Sequence, residues 1–394
     1  MGYLTSFLHI SNKLAERGHR IFFTLPSKTQ SKVQQFNLHS ILITFIPIAI
    51  PQIEGLPNGT ETTSDIPFPL YRNLRRAMDL TEPAIEGYLF CDEASPDALM
   101  EPAPGFPSSE IKLYKHEARV ICEINNDKEF GINVKFVERL IMTTDECDAI
   151  GFKSCREIEG AYCKFLEKKL KKKIILAGPV LPVPPISSLD EKWKKWLDQF
   201  KPKSVIYCAF GSEARLKTDQ FQELLLGFEL TGLPFLAVPK PPIGAKAEEA
   251  LPEGFAERTA KRGVVYGGWV QQQLILSHSS VGCFMTHCGS GSLSEAMVNE
   301  CQLVLMSHVD DQIINTRLMG GDLRVGVEVE KGDEDGLFTK EGVMKAVKLV
   351  MDGDSEIGRE VAANHGKWRD FLLKKGLEDC YIGDFVQNLG SLLE

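Results

Sequence analysis

The sequence predicts an α/β chain of two Rossmann-like domains facing a cleft, with the N-terminal domain incomplete. Three observations predict it. Short apolar runs alternate with helical runs in both halves of the 394 residues, the pattern of parallel sheets covered on both faces. A proline-rich stretch, LPVPPISS at Leu181–Ser188, separates the halves and suits a linker. The length itself fits two or three domains. We therefore expect an N-terminal domain at 1–180, a linker at 181–190 and a C-terminal domain at 191–394.

The elements follow in order. Leu4 to Glu16 carries its apolar residues at helical spacing, and RIFFTLP and ILITFIPI read as strands. Leu70 to Leu89 reads as a helix. CDAIGFKS is a strand, CREIEGAYCKFLEKKL a helix and KIILAGPV a strand. Lys168, Lys169, Lys171, Lys172 and Lys173 cap the C-terminal end of that helix as a solvated patch. The second half is cleaner. Its strands are SVIYCAFGS, PFLAVPK, GVVYGGWV, VGCFMTH, QLVLMSH and VGVEVE. Its helices are TDQFQELLLGFEL, QQQLILSHSS, SLSEAMVNE, QIINTRLMG and TKEGVMKAVKLVMD.

Composition excludes several functions. The chain is 43% hydrophobic and 25% charged, with a net charge of −9, so no basic surface for nucleic acid is implied. Ten scattered cysteines without a CxxC read as reduced thiols, which points to the cytoplasm. Cys283, His287 and Cys288 match no zinc spacing, and no metal is expected. No run reaches the ~18 apolar residues that span a bilayer. No basic segment precedes an apolar core at the start, so no signal peptide is read. Asn58-Gly59-Thr60 is a glycosylation sequon without meaning in the cytosol.

VGCFMTHCGSGSLSEA, Val281–Ala296, carries the chemistry. An apolar strand ends in His287, and a small-residue turn of Gly289, Ser290, Gly291 and Ser292 leads into a helix. Glycines let a ligand approach the backbone, and free N–H groups with the helix dipole favour phosphate. His287 is placed to donate to the same anion. Glu295 can accept two ribose hydroxyls; its alternative is a capping box with Ser292. Phe210-Gly211-Ser212 ends another strand and offers a second donor turn. Trp269 follows GVVYGG and can stack on a flat base, or else pack in the core. Asp311 and Gln312 follow QLVLMSHV and can fork onto neighbouring sugar hydroxyls, or else cap a helix. Base platform, phosphate donors, ribose acceptor and sugar clamp together describe a nucleotide sugar. No strand–GxGxxG–helix unit suggests a dinucleotide oxidoreductase, and GSGS does not fit a hydrolase elbow.

The stretch from Trp269 to Gln312 resembles the signature box of plant family 1 UDP-glycosyltransferases, which begins with W, has HCG midway and ends in DQ. FLHISNKLAERGHR, GLPNGTETTSDIPFPL, PGFPSSEIKL, CDAIGFKSCREIEGAYC, LAGPVLP and ALPEGFAER extend the resemblance over most of the chain. The wording is most like the branch that adds a second sugar to flavonoid or other natural-product glycosides. The resemblance implies the GT-B fold, with the donor held by the C-terminal domain and the last helix crossing back to the N-terminal one. It implies Trp269 stacked on uracil, with Val270 and Gln272 at base and ribose, and Glu295 on the ribose. His287, Ser292 and Ser212 would hold the pyrophosphate with backbone N–H groups around Gly289, Ser290 and Gly291. Asp311 and Gln312 would hold the sugar. The family commonly has Trp-Asn where this chain has Ser290-Gly291, which removes a large contact near the sugar.

Two breaks stand out against the family pattern. Its catalytic His follows a first strand, just before the first helix; here the chain starts MGYLTSFLH, and Tyr3 takes that position. A phenol, with a pKa of about 10 against roughly 6.5 for His, is a poor proton acceptor at pH 7. His9 lies on the apolar side of the helix and is expected in the core. His19, beside Gly18, is expected to cap the helix end. A segment of several tens of residues is expected to be missing around Cys91 to Asp97, and neither Asp92 nor Asp97 takes the role of the family's orienting aspartate. The missing strands should leave exposed sheet edges. The expected function is inverting transfer of a sugar from a UDP-sugar to a hydroxyl of a flavonoid or similar glycoside. Glucose is the default sugar, with xylose or rhamnose as alternatives. The UDP-sugar is a co-substrate, and no tightly bound cofactor is expected. The alternative is a catalytically impaired nucleotide-sugar-binding homologue.

Overall fold

The computed structural model describes residues 2–62, 65–66, 70–79, 96–126, 144, 147–179, 181–182, 185, 187–211, 214–309 and 311–392. The chain divides into two units. One comprises Met1–Pro107, Ala118–Val180 and Lys375–Glu394; the other comprises Ser108–Glu117 and Leu181–Lys374.

In the first unit, helix α1 (Gly2–Ala15) precedes strand β1 (Ile21–Pro26), which pairs in parallel with β2 (Ile43–Ile48). Gly18 ends α1 in the left-handed region, φ +86°. The His19 N–H returns to the Leu14 carbonyl (3.2 Å) and that of Gly18 to Ala15 (2.9 Å), so the helix-end role expected at His19 is met by its backbone. Leu8, Ala15, Phe23, Leu25, Val33 and Ile43 form a small buried core. On the other face Phe22 is 69% exposed and Ile46 is also exposed. A second parallel pair joins β3 (Ala149–Phe152) to β4 (Lys173–Leu176) through helix α2 (Arg156–Leu170). Lys168 and Lys169 lie in its last turn, and Lys171 caps it at φ 53°. Among the described residues these two pairs do not join into one sheet. The helix expected over Leu70–Leu89 is seen as Tyr71–Asp79, and its remainder lies outside the described residues. Cys91 and Asp92 also lie outside them, whereas Asp97 sits in a short helix, Pro96–Met100.

The second unit is one six-stranded parallel sheet in the order β10-β9-β8-β5-β6-β7. Its strands are β5 (Val205–Ala209), β6 (Phe235–Ala237), β7 (Gly263–Val265), β8 (Val281–Thr286), β9 (Gln302–Leu305) and β10 (Gly326–Glu328). Every residue of β5 and β8 is buried, as helices on both faces of a parallel sheet require. Helix α3 (Thr218–Thr231) lies against α7 (Lys340–Met351). They approach so closely that a Cβ on Gly227 would come within 2.5 Å of Val343. Helix α4 (Gln272–Leu276) enters β8, α5 (Ser290–Met297) follows it, and α6 (Asp311–Arg317) follows β9. The helical run expected over QIINTRLMG widens into a π-helical turn at Leu318–Asp322. The strand expected over GVVYGGWV is only Gly263–Val265, and Trp269 sits in the loop beyond it. Chain order runs outward from β5 to β7, then back to β8 and outward to β10. The strand order therefore reverses between β5 and β8, where an open α/β sheet leaves a crevice beyond its strand ends.

Segment Ser108–Glu117 belongs to this second unit. Arg317, at the end of α6, is 5% exposed and meets both carboxylate oxygens of Glu117 at 3.0 and 2.8 Å. It also reaches Glu328 Oε1 at 2.6 Å. The Tyr114 ring lies 4.2 Å from the guanidinium. A buried guanidinium requires such charge-assisted, forked partners.

Candidate functional site

β5 and β8 end side by side, with Ala209 paired to Thr286. The next residues, Phe210-Gly211 and His287, therefore flank the crevice at the switch point. A Cβ on Gly211 would lie 2.7 Å from His287 Nε2, and one on Gly289 2.6 Å from the same atom. The two glycines thus leave room for the imidazole between them. Gly211 itself has φ +66°, which glycine adopts without strain. Cys288, between His287 and the helix, is held at φ 64°, a strained conformation for a residue with a Cβ. Its N–H donates to Thr286 Oγ1 (3.1 Å), and its carbonyl accepts from Asn315 Nδ2 (3.0 Å).

Helix α5 begins at Ser290, with Gly289 as its N-cap and no side chain capping it. Ser290 and Gly291, read from the sequence as turn, are its first two residues and are exposed. Nothing lies within 4 Å of a Cβ built on Gly291. The first turn therefore presents its backbone to open space, with the positive end of the helix dipole behind it.

The capping-box alternative for Ser292 and Glu295 is overturned. Ser292 lies inside the helix, and its Oγ accepts from Gln272 Nε2 at 3.1 Å. Gln272 Nε2 also donates to Glu295 Oε2 at 2.7 Å, and Gln273 Nε2 to Glu295 Oε1 at 3.4 Å. Burial pushes the Glu295 carboxyl above its ordinary range, and the two amide donors only partly offset this. Behind Gln272, the Tyr207 hydroxyl donates to Oε1 at 3.3 Å. Tyr207 and Gln273 are members of the site that the sequence reading missed. The signal for Tyr207 was a polar-tipped ring inside the otherwise apolar run SVIYCAFGS.

Trp269 is 83% exposed, which overturns core packing as its alternative. Val270 beside it is buried. Asp311 and Gln312 open α6 as expected, but they face differently. Asp311 is exposed, with Asn315 Nδ2 at 3.3 Å. Gln312 is buried, and its Oε1 accepts the N–H groups of His308 (3.1 Å) and Val309 (3.4 Å). One polar atom of the expected sugar fork is thus committed to its own turn. His308 packs edge-on against Phe210 at 4.8 Å. Burial holds it well below the usual histidine range, helped by the charges of Lys331 and His287. Ser212 lies outside the described residues.

The candidate base positions lie in the first unit. Tyr3 is in the first turn of α1. His9 is corrected: instead of apolar contacts it has a carboxylate partner, with Nε2 2.6 Å from Glu378 Oε1. Burial pushes the Glu378 carboxyl up, but the His9 bond and the His9 and Lys13 charges prevail and hold it below its ordinary value.

A cavity of about 480 Å³ opens at the other end of the sheet, before β5, β8 and β9. The pairs Lys203–Glu300 (2.9 Å) and Arg369–Glu300 (3.2 Å) occupy its wall. It lies at the strands' N-terminal ends, away from the switch-point crevice. Among the described residues no group of three His, Cys, Asp or Glu is arranged to hold a metal, and no helix is long and apolar enough to cross a membrane.

Comparisons with known proteins bear on the family and the fold. The family described as UDP-glucoronosyl and UDP-glucosyl transferase matches residues 245–359. A cyanidin 3-O-galactoside 2''-O-xylosyltransferase from Actinidia chinensis var. chinensis is 52% identical over 442 residues, covering 100% of this chain and 96% of the relative. Those 442 aligned positions exceed the 394 residues present, so tens of positions in that relative have no counterpart here. An anthocyanidin 3-O-glucoside 2''-O-glucosyltransferase from Ipomoea nil is 47% identical, with the same coverage of each chain. The structure of Phytolacca americana UGT2 complexed with UDP-2fluoro-glucose and pterostilbene is 20% identical. It matches with a TM-score of 0.69 over 98% of this chain and 97% of that one, which shows the shared GT-B fold.

Proposed function

The chain belongs to the family of UDP-glucoronosyl and UDP-glucosyl transferases, and from that premise we propose that it adds a second sugar to a flavonoid or anthocyanidin 3-O-glycoside. The observation that carries the donor half of this reading is the switch-point crevice. There His287 and the open first turn of α5 lie at one sheet end, Glu295 of the same helix is held by Gln272, and the exposed Trp269 stands three residues before Gln272 in the chain. The acceptor half rests on the relatives, which act on cyanidin 3-O-galactoside and anthocyanidin 3-O-glucoside.

In this reading Trp269 stacks on uracil, with buried Val270 packing behind it. Glu295, held by Gln272 and Gln273, accepts the ribose hydroxyls. The α5 N–H groups, His287, Ser292 and Ser212 take the diphosphate charge. Asp311 and the Nε2 of Gln312 face the sugar. An acceptor hydroxyl attacks the anomeric carbon, the bond to the diphosphate breaks, and the hydroxyl proton leaves; the configuration inverts. Donors aimed at the departing diphosphate stabilise the charge that develops on it. UDP-glucose is the default donor, with UDP-xylose and UDP-rhamnose as competitors. The scattered free cysteines fit a reducing compartment, and we place the reaction in the cytoplasm.

The test is mass spectrometry of products from a panel of anthocyanidin and flavonoid 3-O-glycosides offered each of the three donors. One added sugar on the existing sugar supports the proposal. Transfer only to the aglycone, or none with any donor, sinks it. A second reading, a donor-binding homologue slow in transfer, is favoured by Tyr3 at the base position and by the positions absent relative to the Actinidia protein. Loss of a general base is worth about 10²- to 10⁴-fold, so turnover that far below the relatives' on the same acceptor selects this reading.

A further inference from the structure

Tyr207 is a fully buried phenol at the centre of β5, the middle of the sheet. Its ring stacks on Phe284 of β8 at 5.1 Å with planes 14° apart, so it cannot swing away from its place. A buried hydroxyl is retained only if it is hydrogen-bonded, and this one points at Gln272 Oε1, 3.3 Å away. An amide has one acceptor end and one donor end. With Oε1 taken by the phenol, Nε2 must face the other way, where Ser292 Oγ and Glu295 Oε2 lie. The three groups form a directed chain, hydroxyl to carbonyl and amide to carboxylate, whose members polarise one another.

We propose that Tyr207 is a positioning residue for the donor: through Gln272 it fixes the Glu295 carboxylate for the two ribose hydroxyls, and so tells ribonucleotide diphosphates from deoxy ones. The inference rests on the donor-site reading above. Without the hydroxyl, Gln272 Oε1 is left unpaired in a buried place and its amide is free to turn. Glu295 then loses the fixed donor that aims it. Tyr207 itself meets Gln272 through its hydroxyl and Phe284 through its ring, so its hydroxyl acts on the ribose acceptor through Gln272 and touches neither the base nor the diphosphate positions.

The probes are uridine 5′-diphosphate and its 2′,3′-dideoxy analogue, titrated calorimetrically into the full chain. Tyr207→Phe keeps the ring and removes only the hydroxyl. Losing one aimed hydrogen bond should weaken UDP about 5- to 10-fold and leave the dideoxy analogue within about twofold, so the ratio of the two affinities collapses. Gln272→Ala removes the middle member together with its bond to Ser292, so it should weaken both ligands but UDP the more, lowering the same ratio even if Tyr207→Phe fails to fold. Equal weakening of both ligands, or no change in either, overturns the proposal. Glu295→Gln and Trp269→Ala separate the two levels. If both bind UDP like the parent, the donor-site reading itself is wrong. If they weaken UDP while Tyr207→Phe and Gln272→Ala keep the ratio, only the relay is wrong.

Discussion

The two units use the same parts, parallel strands joined by crossover helices, and they close them differently. In the unit holding Leu181–Lys374, six strands share one ladder, β5 and β8 are wholly buried, and a large apolar core packs against one face of the sheet. In the unit holding Met1–Pro107, the described strands form two separate pairs, the core around Leu8 and Leu25 is small, and Phe22 faces outward. A crevice at a topological switch point needs strand ends held in register by neighbours on both sides. The larger sheet supplies this at Ala209 and Thr286. The difference teaches that the crevice proposed as the donor site is built where the sheet is continuous.

This comparison can be broken most severely at Glu117. Removing one partner of a buried ion pair leaves a buried charge, at a cost of about 3–5 kcal/mol. Glu117→Ala should therefore strongly destabilise the larger sheet's unit. All four tryptophans, Trp193, Trp196, Trp269 and Trp368, lie in that unit. Urea unfolding followed by tryptophan fluorescence reads it selectively. A midpoint equal to the parent's would mean that Arg317 is satisfied by Glu328 alone.

Acid gives the next largest effect. Burial pushes His365 down to about 4, and His308 lies well below its usual range for the same reason. Both are depressed in the folded state, so the unfolded chain takes up protons first as pH falls below about 6.5. Stability is full above that pH and is lost on the way down to 4. His365 alone should cost about 2 kcal/mol between pH 7 and pH 5. The same fluorescence titration checks it; a midpoint unchanged between those pH values would contradict the sign.

The smaller unit offers a milder break. His9→Ala removes a half-buried pair with Glu378 and should cost about 1 kcal/mol. Hydrogen exchange over β1 should quicken while tryptophan fluorescence stays put. A shift in the fluorescence midpoint would mean the two units unfold as one.

Most of the larger sheet was legible from the sequence because its strands are continuous apolar runs bounded by glycine and polar turns. VGCFMTH and SVIYCAFGS could hardly be anything else. The anion turn was legible too, since strand, small residues and helix follow one another directly. What stayed hidden depends on groups far apart in the chain. Tyr207 meets Gln272 across 65 positions, and Glu117 meets Arg317 across 200. No local period announces either pairing. His9 misled because a helix's apolar side was taken to imply apolar neighbours, whereas Glu378 comes from the chain's last helix, Leu377–Gly390. Gln312 was placed at the right strand end, but which of its atoms stays available depends on the backbone turn at His308 and Val309.

The central claim is that the crevice beyond β5 and β8 is the donor site, and calorimetric titration of UDP in the presence of EDTA tests it most directly. The parent should bind. Trp269→Ala, which removes the base platform, and His287→Ala, which removes a phosphate donor, should each weaken binding by about 1–3 kcal/mol. His9→Ala, in the other unit, should bind like the parent. UDP binding equally well to the Trp269 and His287 variants, or only when magnesium is added, would contradict the account.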